Sequence, residues 1–475
     1  MKHVTGIESV NLPRRKWAVA APAVACLAWS GPARGGDQGA TMGDVVSGSG
    51  ERDQTEELQA AVDRSGPGGV ILQGTIRLSR PVVIRLDQTG FRSIGGDGTA
   101  RVLMEGAGPA FRFLGTHQGT ADPATVLPEV WDRQRMPIVE GIGIEGRHPQ
   151  AGGIEADGTF GLILSRLHVR QCNHAVHLRG RNRNVILSAC HLYHNRGVGV
   201  FYDDVDLHQS NIGDCHISYN AGGGIVSRGG NVRNIHIGNC DIEGNHPAVD
   251  ADPALATANI WIDCRDSEYG TAEVAITGCT IQHTARSPNS ANIRIQGGSR
   301  EELEGHVTIS GNVLSDVQVN LHLDSVRGAT ISGNTLWMGF AHNCLLEKCR
   351  EIVLAGNNMN RNPRYRHSRA ETALHSVVLR ECQDITIQGL ILRGARDPQG
   401  ACRIERCRRI IVSGSHITDC TSPHLRVENS TDVVIGDSIL GASDSDSPHA
   451  IALQLTGNGG VQHANCIFRG ALREQ

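Results

Sequence analysis

The pentapeptide TISGN occupies Thr308–Asn312 and recurs at Thr330–Asn334, 22 residues further along the chain. Each copy belongs to a longer series, in which an apolar-x-apolar segment precedes two small or polar residues, usually one Cys, Asn or Ser, and another apolar residue. That Cys/Asn/Ser position, which we call the marker, recurs at residues 190, 215, 240, 279, 312, 334, 357, 390, 415 and 438. Most successive markers are 22–25 residues apart, and longer gaps of 39, 33 and 33 residues indicate inserted loops.

This period predicts the fold class. A unit of 22–25 residues fits one coil of three short strands and three turns. A single coil cannot bury its apolar face, whereas stacked coils share one continuous core, and inward asparagines can hydrogen-bond along the stack. The leucine pattern of leucine-rich repeats and the blade motifs of propellers are absent. We therefore predict an all-β, single-stranded right-handed parallel β-helix, a solenoid of about 12 coils, since crossovers are right-handed.

The N-terminal part predicts a cap for this solenoid. In DQTEELQAAVD (Asp53–Asp63), Leu58, Ala61 and Val62 form a small apolar helix face that can cover the open end of the stack. Together with GPGGVILQGTIRLSRPVVI (Gly66–Ile84) and IGGDGTARVLM (Ile94–Met104), this stretch resembles the start of the pectate-lyase and polygalacturonase-like β-helix superfamily. The resemblance implies the fold, and an action on polysaccharide.

The first 35 residues are typical of a signal peptide. Arg14, Arg15 and Lys16 precede a short apolar run, Trp17–Trp29, which is too short for an ordinary membrane span. We predict a signal peptide over 1–35, a linker over 36–50 and the β-helix domain over 51–475. The protein is then secreted, periplasmic or at the cell surface, with no membrane span.

Composition limits the partners. The net charge is −4 and aromatic residues make up 4% of the chain, so bulk charge does not favour a nucleic-acid partner. We expect a monomer whose partner is a polysaccharide. The cysteines after residue 35 fall mostly into two inward columns, which predicts stacked free thiols in the core. Disulfides between neighbouring coils are the alternative, and the spacings are not those of a zinc site.

A second strand in each coil predicts the candidate site. Aligning GVFYD (199–203), NIWID (259–263), NIRIQ (292–296) and NLHLD (320–324) places the third and fifth residues of each on one outward face. Outward aromatic side chains at Phe201 and Trp261 suggest a platform for sugar rings. Carboxylates, an arginine and a histidine beside them suit an acidic sugar and proton transfer. The predicted substrate-binding residues are Phe201, Trp261, Asp263, Asn292 and Asn320, and the predicted catalytic residues are Asp203, Asp204, Arg294, His322 and Asp324.

The polygalacturonase resemblance covers these residues only in part. Asp203 and Asp204 match the Asp pair and Arg294 matches a later arginine, whereas Gly223 and Gln296 stand where that family has His and Lys. The match implies inverting hydrolysis, which needs two carboxylates on opposite sides of the bond.

A lyase would use similar residues differently. There, Ca²⁺ or an arginine neutralises the uronate carboxylate, with Asp263 and Asp324 as possible ligands aided by Asp250 and Asp252 in an inserted loop. Arg294 or His322 would be the base. The residues leave open a lyase, a hydrolase, an epimerase, a glycan-binding protein and a purely structural β-helix.

One further outward column contains His168, His191, His216 and Asp241. Such a column is compatible with a transition metal but is more typical of a polar face.

Overall fold

The computed structural model describes residues 43–64, 69–247, 255–284, 287, 289–298, 304–366, 370–443 and 450–475. Parallel strands wind into a solenoid with three long sheets, which we call A, B and C. Each coil contributes one strand to each sheet in chain order, so residues one coil apart are lateral neighbours. The predicted fold class is confirmed.

Sheet A comprises Val82–Arg85, Gly108–Leu114, Ala151–Asp157, the first parts of Val176–Ser188 and Val198–Gly213, Gly223–Arg228, Thr257–Asp263, Ser290–Gln296, Val317–Asp324, Gly339–Glu347, Ser376–Arg380, Cys402–Glu405, Leu425–Glu428, Ile451–Thr456 and Ala471–Glu474. These fifteen strands of the described residues exceed the predicted count of about 12 coils. The N-terminal coils, which precede the first marker at Cys190, account for the difference.

Sheet B comprises the first parts of Asp44–Asp53 and Val70–Leu78, then Ser93–Gly96, Ile138–Glu140, Ile163–Ser165, the second parts of Val176–Ser188 and Val198–Gly213, Asn231–Gly238, Gly270–Thr277, Gly305–Ser310, Arg327–Ser332, Arg350–Ala355, Gln383–Gln388, Arg408–Ser413, Thr431–Gly436 and Gly459–Ala464. The short strand Thr159–Phe160 pairs with Asn182 and Arg183.

Sheet C comprises the ends of Asp44–Asp53 and Val70–Leu78, then Arg101–Met104, Gly143–Gly146, His168–Arg170, His191–Tyr193, His216–Ser218, Asp241–Glu243, Thr280–Gln282, Val313–Leu314, Thr335–Leu336, Asn358–Asn360, Ile391–Arg393, His416–Thr418, Ile439–Gly441 and Ile467–Arg469.

The markers are inward ladder residues. The Nδ2 of Asn312 donates to Oδ1 of Asn334 at 3.0 Å, and Asn334 donates in the same way to Asn357 at 3.0 Å. The TISGN repeat thus supplies one amide of this ladder per coil. All described cysteines are free, and most are buried in the same interior, as predicted.

A helix caps the N-terminal end. The helix Thr55–Arg64 buries Leu58, Ala61 and Val62, which is the predicted face. On the first strand of sheet A, the backbone N–H and C=O of Val83 bond the side-chain amide of Gln59 at 2.8 and 2.9 Å, which satisfies part of the exposed edge.

The first strand begins earlier than predicted. Asp44–Asp53 pairs with the strand from Val70, which supplies backbone hydrogen bonds from Asp44 onward. The predicted linker over 36–50 is therefore wrong for its last seven residues.

The other helices are short: Leu86–Thr89, the 3₁₀ turns Pro123–Thr125 and Ala370–Thr372, and the π-turn Val130–Gln134. No helix in the described ranges has the length and apolar character needed to cross a membrane.

Candidate functional site

The predicted outward face exists on sheet A. Lateral pairing joins His177 to Phe201, Phe201 to Val226, Val226 to Trp261, Trp261 to Arg294 and Arg294 to His322. The pleat turns alternate residues inward, so that Ile260 and Ile262 enter the core while Trp261 faces away from it. Five strand steps separate His177 from His322, about 24 Å at the usual spacing.

His177 lies between two carboxylates at the N-terminal end of this face. Its Nε2 is 2.8 Å from Oδ2 of Asp203, and its Nδ1 is 3.5 Å from Oε2 of Glu155. The ring is stacked on Phe201, with centroids 5.4 Å apart. Burial lowers the pKa of His177, but the bonds to Glu155 and Asp203 outweigh burial and raise it overall. We call Glu155, His177 and Asp203 the His177 group.

Hydrogen bonds and nearby positive charge lower the pKa of Glu155 within the His177 group. The hydrogen bond from His177 holds the pKa of Glu155 below its usual value, and Arg112, 2.8 Å away, acts in the same direction. The carboxylate form of Glu155 is therefore stabilised, and Glu155 and Asp203 together favour the protonated form of His177. Asp203 has 39% of its side chain exposed and is the member most open to a ligand.

Two arginines lie on either side of Asp203. Register pairs Arg179 with Asp203 on one side and Arg228 with Asp203 on the other. Both side chains are exposed, and neither forms an ion pair within the described part of the chain. The Arg228 guanidinium lies 5.7 Å from the centroid of the Trp261 ring. Two guanidinium groups are thus available to an anionic ligand beside Asp203.

Asp204 has a different role from the predicted one. It adopts a left-handed backbone conformation, with φ of 47°, at the bend that leads from sheet A toward sheet B. Its Oδ1 accepts a hydrogen bond of 2.9 Å from the backbone N–H of Gly230. Asp203 bonds His177 on the sheet, so the two carboxylates serve different partners and do not form the predicted pair.

Phe201 and Trp261 are not sugar platforms. Their exposed fractions are 9% and 7%, because they pack with Val198, Val226, Ala258 and Ala291 into a separate apolar cluster on the outer side of sheet A. The indole N–H of Trp261 donates to Oε1 of Gln296 at 3.0 Å. The prediction of an open aromatic surface is wrong because neighbouring coils cover both rings.

Arg294 and His322 form a packed network. Arg294 is 3% exposed and donates from Nε to Nδ1 of His322 at 3.3 Å and from its other nitrogens to Asn289. Burial lowers the pKa of Arg294 to about 10. His322 uses its Nε2 on Glu347, 3.1 Å away, and Glu347 also accepts from Arg380 at 2.7 Å. The hydrogen bond from His322, supported by Arg380, lowers the pKa of Glu347 to about 2.

Asp263 and Asp324 do not converge. Arg265 holds both carboxylate oxygens of Asp263, at 2.8 and 2.7 Å. Burial raises the pKa of Asp263, but the hydrogen bonds from Arg265 lower it overall. Asp324 accepts from the hydroxyl of its neighbour Ser325. The two lie two coils apart, with Gln296 between them in register, so they cannot share a Ca²⁺ ion directly. Asp250 and Asp252 lie outside the described residues.

Asn292 and Asn320 belong to the core. Both are fully buried, and each amide bonds the next in a ladder that runs from Asn259 through both to Asn343, with N–O distances of 2.7–2.8 Å. As the first residues of the aligned segments, they turn inward like the fourth. The prediction that they contact substrate is wrong.

Sequence reasoning did not single out Glu155 and His177. In the same alignment Glu155 and His177 fall at the third, outward position, two coils and one coil before Phe201, and Asp203 lies on the strand next to that of His177. An outward histidine with a carboxylate on each of the two neighbouring strands is a candidate proton donor.

Two family models match parts of the chain. The model described as a right-handed beta helix region matches residues 138–267, and the model of the periplasmic copper-binding protein NosD matches residues 258–435. None of the curated proteins matches the sequence.

Several solved structures are similar to it. A mutant tailspike of E. coli bacteriophage HK620, in complex with a pentasaccharide, is 11% identical with a TM-score of 0.50, covering 89% of this chain and 78% of that one. The mannuronan C-5 epimerase A-module of Azotobacter vinelandii is 12% identical with a TM-score of 0.40, covering 91% and 97%.

Tailspike protein 3 of bacteriophage CBA120 is 12% identical with a TM-score of 0.44 over 88% of this chain, which spans only 59% of that tailspike. At these identities the likeness concerns the fold. Parallel sheets, coil-by-coil register and the matched family model agree, and the chain is a right-handed parallel β-helix protein.

Proposed function

We propose that this protein binds and processes an acidic, uronate-containing polysaccharide outside the cytoplasm, at the His177 group on sheet A. The observation that carries the proposal is His177 held between Glu155 and Asp203, with two unpaired guanidinium groups beside Asp203. The HK620 tailspike, which shares the fold, holds a pentasaccharide, and this supports the class of ligand.

Arg179 and Arg228 would bind the carboxylates of the polymer. A guanidinium group matches a carboxylate in two parallel hydrogen bonds and stays charged at all ordinary pH values. Because the strands repeat along the solenoid axis at about 4.8 Å, a chain lying along that axis can offer successive groups to successive coils.

Proton transfer would then use Asp203 and His177. Neutralising the uronate carboxylate makes the neighbouring C5 proton more acidic, and Asp203, the more exposed carboxylate, removes it. The C5–H electrons form the C4–C5 double bond, the C4–O bond breaks, and the protonated His177 donates its proton to the leaving oxygen. His177 suits this role because its pKa is raised.

This arrangement favours elimination over hydrolysis. Hydrolysis needs a second carboxylate across the bond, and Asp204, the nearest in sequence, accepts a backbone hydrogen bond from Gly230 instead. An epimerase would use the same proton removal without bond cleavage. A second candidate function, glycan binding without turnover, follows if Arg179 and Arg228 hold the polymer while His177 only bridges Glu155 and Asp203.

The proposed location of the protein outside the cytoplasm rests on its N-terminal segment. Residues 1–35 have the charge and apolar pattern of a signal peptide, and the family model over 258–435 carries a periplasmic name. The name also mentions copper. In the described ranges no three His, Cys, Asp or Glu side chains are grouped so as to hold a metal ion, so no step here uses one.

The deciding experiment is isotope labelling. The mature protein is incubated with oligogalacturonate, oligomannuronate and a neutral oligosaccharide. One set of incubations uses heavy water and a second set uses ¹⁸O-labelled water. Mass spectrometry then gives the masses of the products.

Five outcomes are distinguishable. Unsaturated ends without ¹⁸O establish a lyase, and deuterium uptake without shortening establishes an epimerase. One ¹⁸O per cleaved bond establishes a hydrolase and refutes the assigned chemistry. Intact, unlabelled polymer that still binds supports the second candidate, and absence of binding refutes both.

A further inference from the structure

A second polar surface lies on sheet C, away from the His177 group. A cavity of about 180 Å³ opens there, lined by Gly98–Arg101, Ile142–Glu145, Arg166, His168 and Arg170. It spans three successive strands of sheet C, since Arg101, Gly143 and His168 are lateral neighbours.

The centre of this surface is a carboxylate with an excess of positive partners. Glu145 is 4% exposed and pairs with Arg101 at 3.0 Å, Arg170 at 2.7 Å and Arg147 at 2.5 Å. Burial acts to raise the pKa of Glu145, but the arginine contacts lower it overall, so the carboxylate is charged. In the described part of the chain these three guanidinium groups have no other carboxylate partner, and the cluster carries two positive charges in excess.

Aromatic rings extend from this cavity across the next coils. His168, which lines the cavity, stacks on Tyr193 with centroids 4.8 Å apart. Tyr193 contacts His194 edge-on at 5.2 Å, and His194 stacks on Tyr219 at 5.1 Å. Tyr219 is 48% exposed, and its hydroxyl is fixed by a bond of 2.7 Å to Glu243. We call these four residues the ring strip.

The ring strip has a local structural cause. His194 and Tyr219 occupy the same turn after sheet C, one coil apart, and both have positive φ values of 54° and 58°. The next coil has Gly244 at this position, and a Cβ there would lie 2.6 Å from the Tyr219 ring. The glycine therefore leaves room for that ring, which stays at the surface instead of being covered.

We propose that the cavity and the ring strip form a second binding site for an acidic polysaccharide, separate from the His177 group. An anionic sugar substituent, carboxylate or sulfate, enters the cavity beside Arg101 and Arg170, and the following sugar rings contact Tyr193 and Tyr219. From the coil of Arg101 to that of Tyr219 there are four strand steps, about 19 Å, which suits an oligosaccharide rather than a single ion. The net charge of −4 does not favour a nucleic acid.

The site on sheet C goes beyond the proposed function, because binding there does not depend on proton transfer at the His177 group. It would anchor the polymer on a face that turns away from the His177 group. The two sites have only the class of ligand in common, so an experiment can refute either proposal and leave the other standing.

The test counts binding sites by titration calorimetry, with oligogalacturonate and oligosaccharide sulfate as charged probes and a neutral oligosaccharide of equal length. The ligand recovered from each titration is analysed by mass spectrometry, so that heat from turnover is not counted as binding. We expect two binding sites. The double variant with Arg101→Gln and Tyr219→Ala should keep only the site at the His177 group. The double variant with Arg179→Gln and Arg228→Gln should keep only the site on sheet C. Arg101→Gln alone weakens the sheet C site about tenfold, as for loss of one charged hydrogen bond.

The control is Arg406→Gln. Arg406 is as exposed as Arg101 (50% against 49%) and also pairs with a glutamate, but lies elsewhere on the solenoid. An equal loss in this control, an unchanged number of sites in the sheet C variant, or equally tight binding of the neutral probe would overturn the inference. A single site that only the sheet C variant removes would refute binding at the His177 group while supporting sheet C. If the double variant does not fold, Tyr219→Ala alone, at an exposed position, gives the same comparison.

Discussion

His177 and His322 lie on the same outward face of sheet A, and each bonds a carboxylate, yet their surroundings differ. His177 has carboxylates on both nitrogens and exposed, unpaired arginines nearby. His322 accepts from the buried Arg294 on one nitrogen and bonds Glu347, already neutralised by Arg380, on the other. A histidine on a sheet face can therefore be a proton donor open to a ligand or a link in a packed network, and the side chains that surround it decide which.

The largest expected effect is a loss of stability when Trp261 is replaced, and it tests whether this side chain packs in a cluster or binds sugar. Because Trp261 is 7% exposed and packed on Phe201 and Val226, Trp261→Ala should lower the free energy of unfolding by about 3–5 kcal/mol. Trp131→Ala, at a tryptophan that is 39% exposed, serves as the control with a clearly smaller loss. Urea unfolding measures both. A Trp261→Ala protein of unchanged stability that no longer binds glycan would restore the sugar-platform prediction.

The next effect compares the two histidines directly. His177→Gln removes the proposed proton donor and should reduce kcat at least about 100-fold, the usual value of general acid catalysis. His322→Gln should reduce it less than tenfold. Initial rates on the polymer identified by isotope labelling give the ranking, and the opposite ranking would transfer the catalytic assignment to the Arg294–His322 network.

A smaller effect is expected at the arginines beside Asp203. Arg179→Gln should raise KM about tenfold with a lesser change in kcat, because it removes a charged hydrogen bond to the substrate carboxylate. Arg406→Gln is again the surface control. Equal KM values for both variants would remove Arg179 from the site.

The smallest effect is a dependence of stability on pH. The pKa of His177 is raised in the folded protein above the usual value of about 6.5, so its contribution is fully present below that pH. It is lost as the pH rises through the folded pKa. Unfolding free energies of the wild type and His177→Gln should thus converge as the pH increases above about 6.5. Divergence over that range would show that the imidazole is not held in its charged form.

The fold was largely predictable from the sequence because one coil repeats one chemistry. The markers Asn312 and Asn334 lie inward as predicted, and the helix face of Leu58, Ala61 and Val62 covers the end of the stack. Strand alternation also correctly separated Ile260 and Ile262 from Trp261. Each of these features depends on the sequence of a single strand or helix, so it can be predicted without knowing which residues lie next to it in the fold.

The candidate site was less predictable because it depends on neighbours from other coils. Alternation shows that Trp261 leaves the core but not that Ala258, Ala291 and Val226 cover it. Likewise, the pairing of Asp263 with Arg265 and the turn contact of Asp204 with Gly230 depend on side-chain conformation after the strand ends. Asn292 was misplaced because alternation fails within the strand Ser290–Gln296, where Asn292 and the next residue, Ile293, are both fully buried.

The asparagine ladder has a consequence for how this chain can vary. Asn195, Asn220 and Asn245 precede their strands, yet Asn245 bonds Asn259 at 2.8 Å, only 14 residues later, and the amide chain then continues to Asn292. The ladder thus joins the residues on either side of the segment between 245 and 259. One line of amides therefore runs through successive coils even though the spacing of its asparagines along the chain varies from 14 to 33 residues.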